Sequence, residues 1–339
     1  MYKYENVNQA LIGVGQLLVA EGVVNNRRGM EVVEIPYPVM IEISNPTDRY
    51  ATIPNRKWNK YLGFVESLWI ALGMNDLDKL PGHYVKNLYK YSDDGRTWRA
   101  GYGPRLRCYN GLDADYDVSH PDHRHIFVGK SVVVDQLKYV IESLRRDINT
   151  RQAIITLGDP AKDSFDIGLG DSLKTTKDYP CSRSLQFMVV GGKLDLTLYM
   201  RSNDIVFGMS GVNVFNFTFM LEYIANILGV PVGKYYHISN NLHAYVEFMD
   251  KVCSFAKLEL MDFNSPERFV YADRIRSLVI FDELLNKLYD YERKVRFGVI
   301  NDQPSFGNDM FDDWGKVFLH HANKSMQLEF VNPYLNRLF

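Results

Sequence analysis

From residue 8 to 21 the apolar positions Leu11, Val14, Leu17 and Leu18 recur at three- and four-residue spacing, which predicts a helix. KYLGFVESLWIALG (60–73) repeats that spacing and closes on Gly73, a residue suited to the turn past a helix end. A further amphipathic helix is predicted over 131–146, with Val133, Leu137, Val140, Ile141 and Leu144 on one face. NNRRGM (25–30) reads as a polar turn, and VVEIPYPVMIEI (32–43) as extended chain broken by two prolines. QAIITL (152–157) is a strand candidate. The clearest local pattern is SLQFMVV and KLDLTLYM flanking Gly191-Gly192. Leu194, Leu196, Leu198 and Met200 fall on one face, and Asp195, Thr197 and Tyr199 on the other. That alternation predicts a hairpin whose two-residue turn needs positive φ. NVFNFTFMLEYIANILG (213–229) predicts a buried helix, KYYHIS then LHAYVEFMDKV a strand, short loop and helix, and 272–294 another helix.

Between these elements, 76–130 is rich in loop residues and 158–178 is a long polar connection, of the kind that often carries function. There is no internal repeat and no Pro/Ser linker, so the 339 residues are expected to form a single domain, 1–339. A hydrophobic content of 46% and an aromatic content of 13% suffice for a large core. The net charge of −2 excludes a general binder of nucleic acid polymers. Three scattered cysteines, Cys108, Cys181 and Cys253, argue against a disulfide framework and fit a reducing compartment. The first residues lack a leader pattern, and no uncharged apolar run reaches the roughly 18 residues of a membrane helix. The expectation is a soluble cytoplasmic protein with no membrane partner.

Candidate chemistry is sparse at first sight. His120, His123 and His125 crowd into SHPDHRH, but an Asp/Arg-rich loop offers no supporting shell, so no metal is expected. GVGQLL and GLGDSLK each hold G-x-G without the strand–turn–helix context or GK[ST] of a phosphate loop. Cys181 with His237 or His243 and Asn240 or Asn241 has the parts of a cysteine hydrolase but no local signature. Alone, Cys181 in YPCSRSLQF reads as a small buried residue. Residues downstream of it change that reading. Arg201-Ser202 after a strand can grip a phosphate, and Arg201 beside Cys181 would favour the thiolate. Asn213 can read the O4 and N3–H edge of uracil, and His243 and Tyr245, two apart on extended chain, face one side and suit a sugar hydroxyl.

In this order the chain resembles the folate-dependent thymidylate synthase superfamily, which includes the pyrimidine-nucleotide hydroxymethylases. The pattern Pro-Cys-x-x-x-x-Gln-Phe, hairpin, Arg-Ser-x-Asp-x-x-x-Gly, Asn, His-x-Tyr stands here as Pro180-Cys181, Gln186-Phe187, Arg201-Ser202, Asp204, Gly208, Asn213 and His243-Ala244-Tyr245. Upstream, NNRRG resembles the family's phosphate loop with Arg27 in the Arg position, and ESLWIALG its Glu-Leu-x-Trp helix. AGYGPRLR is similar to the Gly-x-x-Tyr-Gly stretch, and DINTRQAII to the cross-dimer arginine pair. The likeness runs from about residue 10 to 250, and the segment at about 250–339 is divergent.

The resemblance implies an α+β, thymidylate synthase-like fold, a large mixed β-sheet flanked by helices and dimerising through the sheet. It implies Cys181 as the nucleophile at pyrimidine C6, Glu66 as the acid/base carboxylate, Tyr102 as the active-site tyrosine, Arg201 and Asp204 as catalytic partners, and 5,10-methylenetetrahydrofolate as the one-carbon donor, with no metal. Arg27, Arg151 of a partner subunit, Arg201 and Ser202 would hold the phosphate of a pyrimidine nucleoside monophosphate. Asn213, His243, Tyr245 and Gln186 would hold the rest of it, and Asp204, Leu88 and Gly208 the folate. Departures bear on the product. Leu88 stands where synthases place a covering Trp, Ser182 where they carry His, Met200 for Gln and Gln152 for the second cross-dimer Arg. Gly208 to Asn213 is one residue longer, and VNPYLNRLF lacks the usual ending. These favour hydroxymethylation of dUMP over thymidylate synthesis. The other readings are a dCMP or CMP hydroxymethylase and a degenerate nucleotide-binding protein. The uracil preference rests on Asn213, with Asn216 as the substitute.

Overall fold

A computed structural model describes residues 1–54, 56–109, 133–166 and 172–339. The three clustered histidines, His120, His123 and His125, and most of GLGDSLK lie outside the described residues. The strands are β1 Tyr2–Tyr4, β2 Val23–Arg27, β3 Met30–Glu34, β4 Val39–Ile43, β5 Ile154–Thr156, β6 Ser182–Val190, β7 Lys193–Met200, β8 Asn203–Asp204, β9 Val232–Ser239 and β10 Leu242–Tyr245. The helices are α1 Val7–Glu21, α2 Leu62–Ala71, α3 Pro81–Tyr84, α4 Tyr102–Arg107, α5 Gln136–Arg146, α6 Pro160–Asp163, α7 Val214–Leu228, α8 Met249–Ala256, α9 Leu278–Arg296, α10 Asp309–Ala322 and α11 Pro333–Asn336.

The architecture is α+β. Six strands form a mixed sheet in the order β1-β4-β9-β7-β6-β5, and four form a smaller sheet in the order β2-β3-β10-β8. The β6–β7 hairpin turns on Gly191 (φ 57°) and Gly192 (φ 77°), as its alternation requires. Leu194, Leu196, Leu198 and Met200 are buried against the helices, while Tyr199 faces out. Core residues come from both ends of the chain: Leu11, Leu68 and Ile224 pack in one cluster with Phe281, Trp314 and Tyr334.

Several boundaries differ from the sequence pattern, each for a local reason. The polar turn at 25–30 is a β-hairpin in which exposed β2 pairs with β3 through an Arg28-Gly29 turn, both residues at positive φ. The extended run 32–43 splits at its prolines into β3 and β4, which join different sheets. Val133 lies ahead of α5, half exposed, because Asp135 caps that helix by accepting the Lys138 N–H. The first part of LHAYVEFMDKV is strand β10, and α8 begins only at Met249. Likewise α9 starts at Leu278, where Ser277 accepts the Ile280 N–H.

The largest difference lies ahead of α7. Ile205–Asn213 already winds as a π-helix and runs straight into α7. Its wider i→i+5 turns hold the whole Gly208–Asn213 stretch. Arg56 Nε donates to Ser210 Oγ at 2.8 Å and Trp58 Nε1 to the Gly211 carbonyl at 2.8 Å, which secures the irregular turns. The combined helix Ile205–Leu228 is apolar and long enough to cross a membrane by length and composition, but it is packed inside the protein. Its one carboxylate, Glu222, meets Arg49 at 2.6 Å in the core.

A second buried charge locates the 158–178 connection. Asp163, fully buried, accepts two bonds from Arg105 (2.7 and 2.8 Å), one from Arg99 (3.1 Å) and the Asp159 N–H (2.9 Å). Removing one charge from such a group leaves the others buried and uncompensated. Asp163→Asn is therefore expected to cost about 3–5 kcal/mol in chemical denaturation, whereas Asp290→Asn on the exposed face of α9 should cost less than about 1 kcal/mol.

Candidate active site

The chain enters β6 through Tyr179-Pro180-Cys181, and a bulge follows at once between Ser182 and Ser184. Bulges of this kind re-aim side chains at strand ends. The hairpin register places the start of β6 beside the end of β7, so the Arg201 N–H donates to the Cys181 carbonyl at 2.9 Å. The Arg201 side chain folds back over the same turn. Its guanidinium donates to the carbonyls of Pro180 (3.1 Å) and Tyr179 (3.0 Å) and to Cys181 Sγ (3.5 Å), and it stacks on the Tyr179 ring at 4.8 Å. Burial pushes the Cys181 thiol up. Arg201, Arg28 and Arg183 pull it down, and Asp178 adds to the rise. Arg201 thus acts in the expected direction, but burial outweighs it. Tyr102 OH accepts the Ser182 N–H at 3.0 Å, beside the nucleophile.

The acid/base end is built by two buried helices. Glu66 on α2 accepts from Asn216 Nδ2 on α7 at 3.1 Å, and Ser67 Oγ donates to Asn216 Oδ1 at 2.8 Å. Burial raises the Glu66 carboxyl from 4.5 to about 7, partly offset by the Asn216 bond. A carboxyl tuned there can both give and take a proton near neutrality. Asn216 is thus committed to Glu66. Next to it, Phe217 lies 6.0 Å from the Tyr102 ring, which joins this end to Cys181.

The small sheet supplies the third side. Ser202 Oγ donates to Asn241 Oδ1 at 3.1 Å, and Asn241 Nδ2 donates to Glu34 at 2.6 Å. Glu34 also takes two bonds from Arg27 (2.9 and 2.5 Å) and one from Asn25 (2.7 Å), which together hold its carboxyl down at about 2. The Arg27 fork, expected to hold a phosphate, is matched here by a carboxylate that the hairpin brings alongside. The next residue, Arg28, stands in the turn with its charge acting on Cys181 and Tyr245.

Asp204 and His243 face each other on paired strands β8 and β10. Asp204 Oδ2 caps the π-helix, accepting from Phe207 N–H and, at 3.4 Å, Gly208 N–H. Burial raises the Asp204 carboxyl and lowers the His243 imidazole. Asp204 Oδ1, His243 Nδ1 and Ser182 Oγ are buried with no hydrogen-bond partner among the described residues. Buried polar atoms are rarely left so, and such atoms suit a polar ligand. Tyr245 stands edge-on to His243 at 5.5 Å. Asn213 is buried at the π-helix end, its amide making no hydrogen bond among the described residues. Gly208 is dictated by space: a Cβ would stand 2.2 Å from Asn203 Oδ1 and 3.0 Å from Asn213 Oδ1.

Of the other expected residues, Gln186 stands apart from this cluster, and Arg151 belongs by expectation to a partner subunit's site. Gln186 lies five residues along β6, roughly 15 Å from Cys181 at the strand rise, and donates to the Arg151 carbonyl at 3.0 Å. Arg151 is exposed ahead of β5. Leu88 packs partly buried against the core, and its carbonyl accepts from Trp98 Nε1 at 3.3 Å. Residues not singled out from the sequence are Arg28, Glu34 and Asp178, the last raised by burial to about 6, while Asn241 is named there only for a cysteine hydrolase. Only the Arg27/Glu34 spacing across a turn gave a signal. Among the described residues no group of three or more His, Cys, Asp or Glu could hold a metal ion.

The sequence model of one family, thymidylate synthase, matches residues 14–294. A deoxyuridylate hydroxymethyltransferase of Bacillus phage SP01 is 38% identical over 239 residues, covering 70% of this chain and 57% of the relative. Proteins of the same name from Pseudomonas phage M6 and Delftia phage PhiW-14 are 32% and 26% identical, covering 76% and 82% of this chain and 64% and 71% of their own lengths. The matches thus span only about three-fifths of the first two relatives.

The Glu66 environment gives a stability test. Its folded value, about 7, lies above the ordinary 4.5. Stability from this group is therefore full below pH about 4.5 and is lost as pH rises through about 7. Glu66→Gln keeps an acceptor for Asn216 and removes that loss. Its Tm relative to the parent should climb between pH 5 and 8 in thermal scans, and a pH-independent difference would contradict the buried-carboxyl assignment.

Proposed function

The chain belongs to the thymidylate synthase family, and from that premise we propose that it transfers a hydroxymethyl group to C5 of dUMP, with Cys181 as the nucleophile. The observation that carries the reading is the Cys181–Arg201 contact within one buried cluster with Glu66 and Tyr102. The family's chemistry is folate-dependent and acts on pyrimidine nucleotides. The names of the three relatives support the hydroxymethyl product and the uracil base.

The chain's own groups divide the work. Cys181 loses its proton and its sulfur adds to C6 of the ring, which turns C5 into a nucleophilic carbon. Arg201, already bonded to Sγ, stabilises the thiolate as it forms. Arg201 and Ser202 bind the 5′-phosphate with Arg28, since Arg27 is neutralised by Glu34. Arg151 of a second copy would complete that site if the protein pairs through its six-stranded sheet. Asn213 meets the uracil edge with its free amide, and His243 and Tyr245 take the sugar hydroxyl. Glu66 moves protons at O4 and C5. 5,10-Methylenetetrahydrofolate would supply the one-carbon unit, and the unpartnered Asp204 Oδ1 fits a donor on its pterin ring. Ser182 Oγ, small and unpartnered next to the nucleophile, can order a water for capture at the new carbon.

Incubation with dUMP or dCMP and methylenetetrahydrofolate, read by mass, decides the product. Hydroxymethyl-dUMP with tetrahydrofolate is expected. Thymidylate with dihydrofolate would replace this reading with the synthase reaction. Cys181→Ala should abolish turnover, and Glu66→Gln should lower kcat by about 10²–10⁴-fold.

A further inference from the structure

His237 is fully buried on β9, and no role in the proposed chemistry falls to it. Its Nε2 lies 3.0 Å from Asn203 Nδ2 and its Nδ1 2.9 Å from Tyr235 OH. An amide nitrogen can only donate, so Nε2 accepts. The ring proton then sits on Nδ1 and is donated to the Tyr235 oxygen. A protonated ring would set N–H against N–H, and burial accordingly pulls His237 down to about 4. The imidazole is therefore neutral and held in one tautomer.

What it holds is the centre of the run Arg201–Asp204. The Asn203 N–H donates to the Asn241 carbonyl at 2.8 Å, and Asn203 Nδ2 also meets Met200 Sδ at 3.0 Å. With its nitrogen on His237, the amide turns its oxygen toward Gly208. Its neighbours are Arg201, bonded to Cys181 Sγ, Ser202, bonded to Asn241, and Asp204, which caps the π-helix carrying Gly208 and Asn213.

We propose that His237 is a positioning residue for this site: its acceptor nitrogen, with the tautomer set by Tyr235, fixes the Asn203 amide and through it the alignment of Arg201 on Cys181. His237 touches no reacting atom. The proposal rests on Cys181 being the nucleophile but not on which nucleotide or product is involved.

The test is the pH dependence of Cys181 alkylation by iodoacetamide in the full chain, followed by peptide mass, with Cys253 as internal control. The charged and titratable groups acting on Cys181 are Arg201, Arg28, Arg183 and Asp178, with Tyr102 and Tyr245 alongside. None of them is changed. His237→Phe should move the alkylation midpoint up by about half a pH unit or more, a roughly threefold loss of thiolate at neutral pH, with a parallel fall in kcat. His237→Gln, which restores an acceptor, should recover most of it. Tyr235→Phe, close in volume, should shift it partway. A structural loosening would instead raise the alkylation plateau at both cysteines and leave the Cys181 midpoint in place, which would overturn the proposal. If His237→Phe fails to fold, an unmoved midpoint in Tyr235→Phe overturns it equally. Because alkylation needs no nucleotide, a wrong product assignment would not imitate either result.

Discussion

A single backbone hydrogen bond, from Arg201 N–H to the Cys181 carbonyl, sits where the rest of the site converges. It exists because the β6–β7 hairpin turns on two glycines that accept positive φ. A slip of one residue in that register would send every side chain of a strand to the other face. Leu196 and Leu198 are wholly buried, so such a slip would expose core surface, and the core thereby enforces the contact. The same strand end delivers β8, whose parallel pairing with β10 sets Asp204 beside His243.

Around that junction the protein keeps charges in places where water cannot reach them well, and treats two kinds of buried group differently. Asp163 and Glu34 are ringed by donors and stay ionised. Glu66 and Cys181 receive too few partners to offset burial and are held closer to neutrality. The first pair fixes loops, Asp163 the approach to Tyr179 and Glu34 the β2–β3 hairpin. The second pair is left with protons that can move. Stability and reactivity are separated by the number of donors that each buried group is given.

How much of this was legible in the sequence depends on the range of the determining force. The hairpin announced itself, because alternation and a Gly-Gly turn are local. The order of motifs singles out Cys181, Arg201 and Glu66; the structure sets Arg201 on Cys181 Sγ, and Glu66 on Asn216 beside the Phe217 ring that faces Tyr102. Arg27 pairs with Glu34 across the β2–β3 turn, and Asn241 joins them from a distant strand that local pattern does not bring near. Gln186 sits on a strand whose length carries it away from the cluster. Val133 looked helical by period but lies outside a cap that one aspartate decides. The π-helix was visible only as an inconvenient additional residue.

The π-helix has a wider meaning. A regular helix would carry one more residue by rotating everything after it through about 100°, turning the buried face of α7 outward. The i→i+5 turns of Ile205–Asn213 give room for such a residue locally, and α7 presents its apolar faces to the core. What changes is local, namely the direction in which Asn213 leaves the backbone relative to Gly208. The direction of the residue proposed to read the base is therefore set by the winding of Ile205–Asn213 as well as by side-chain identity.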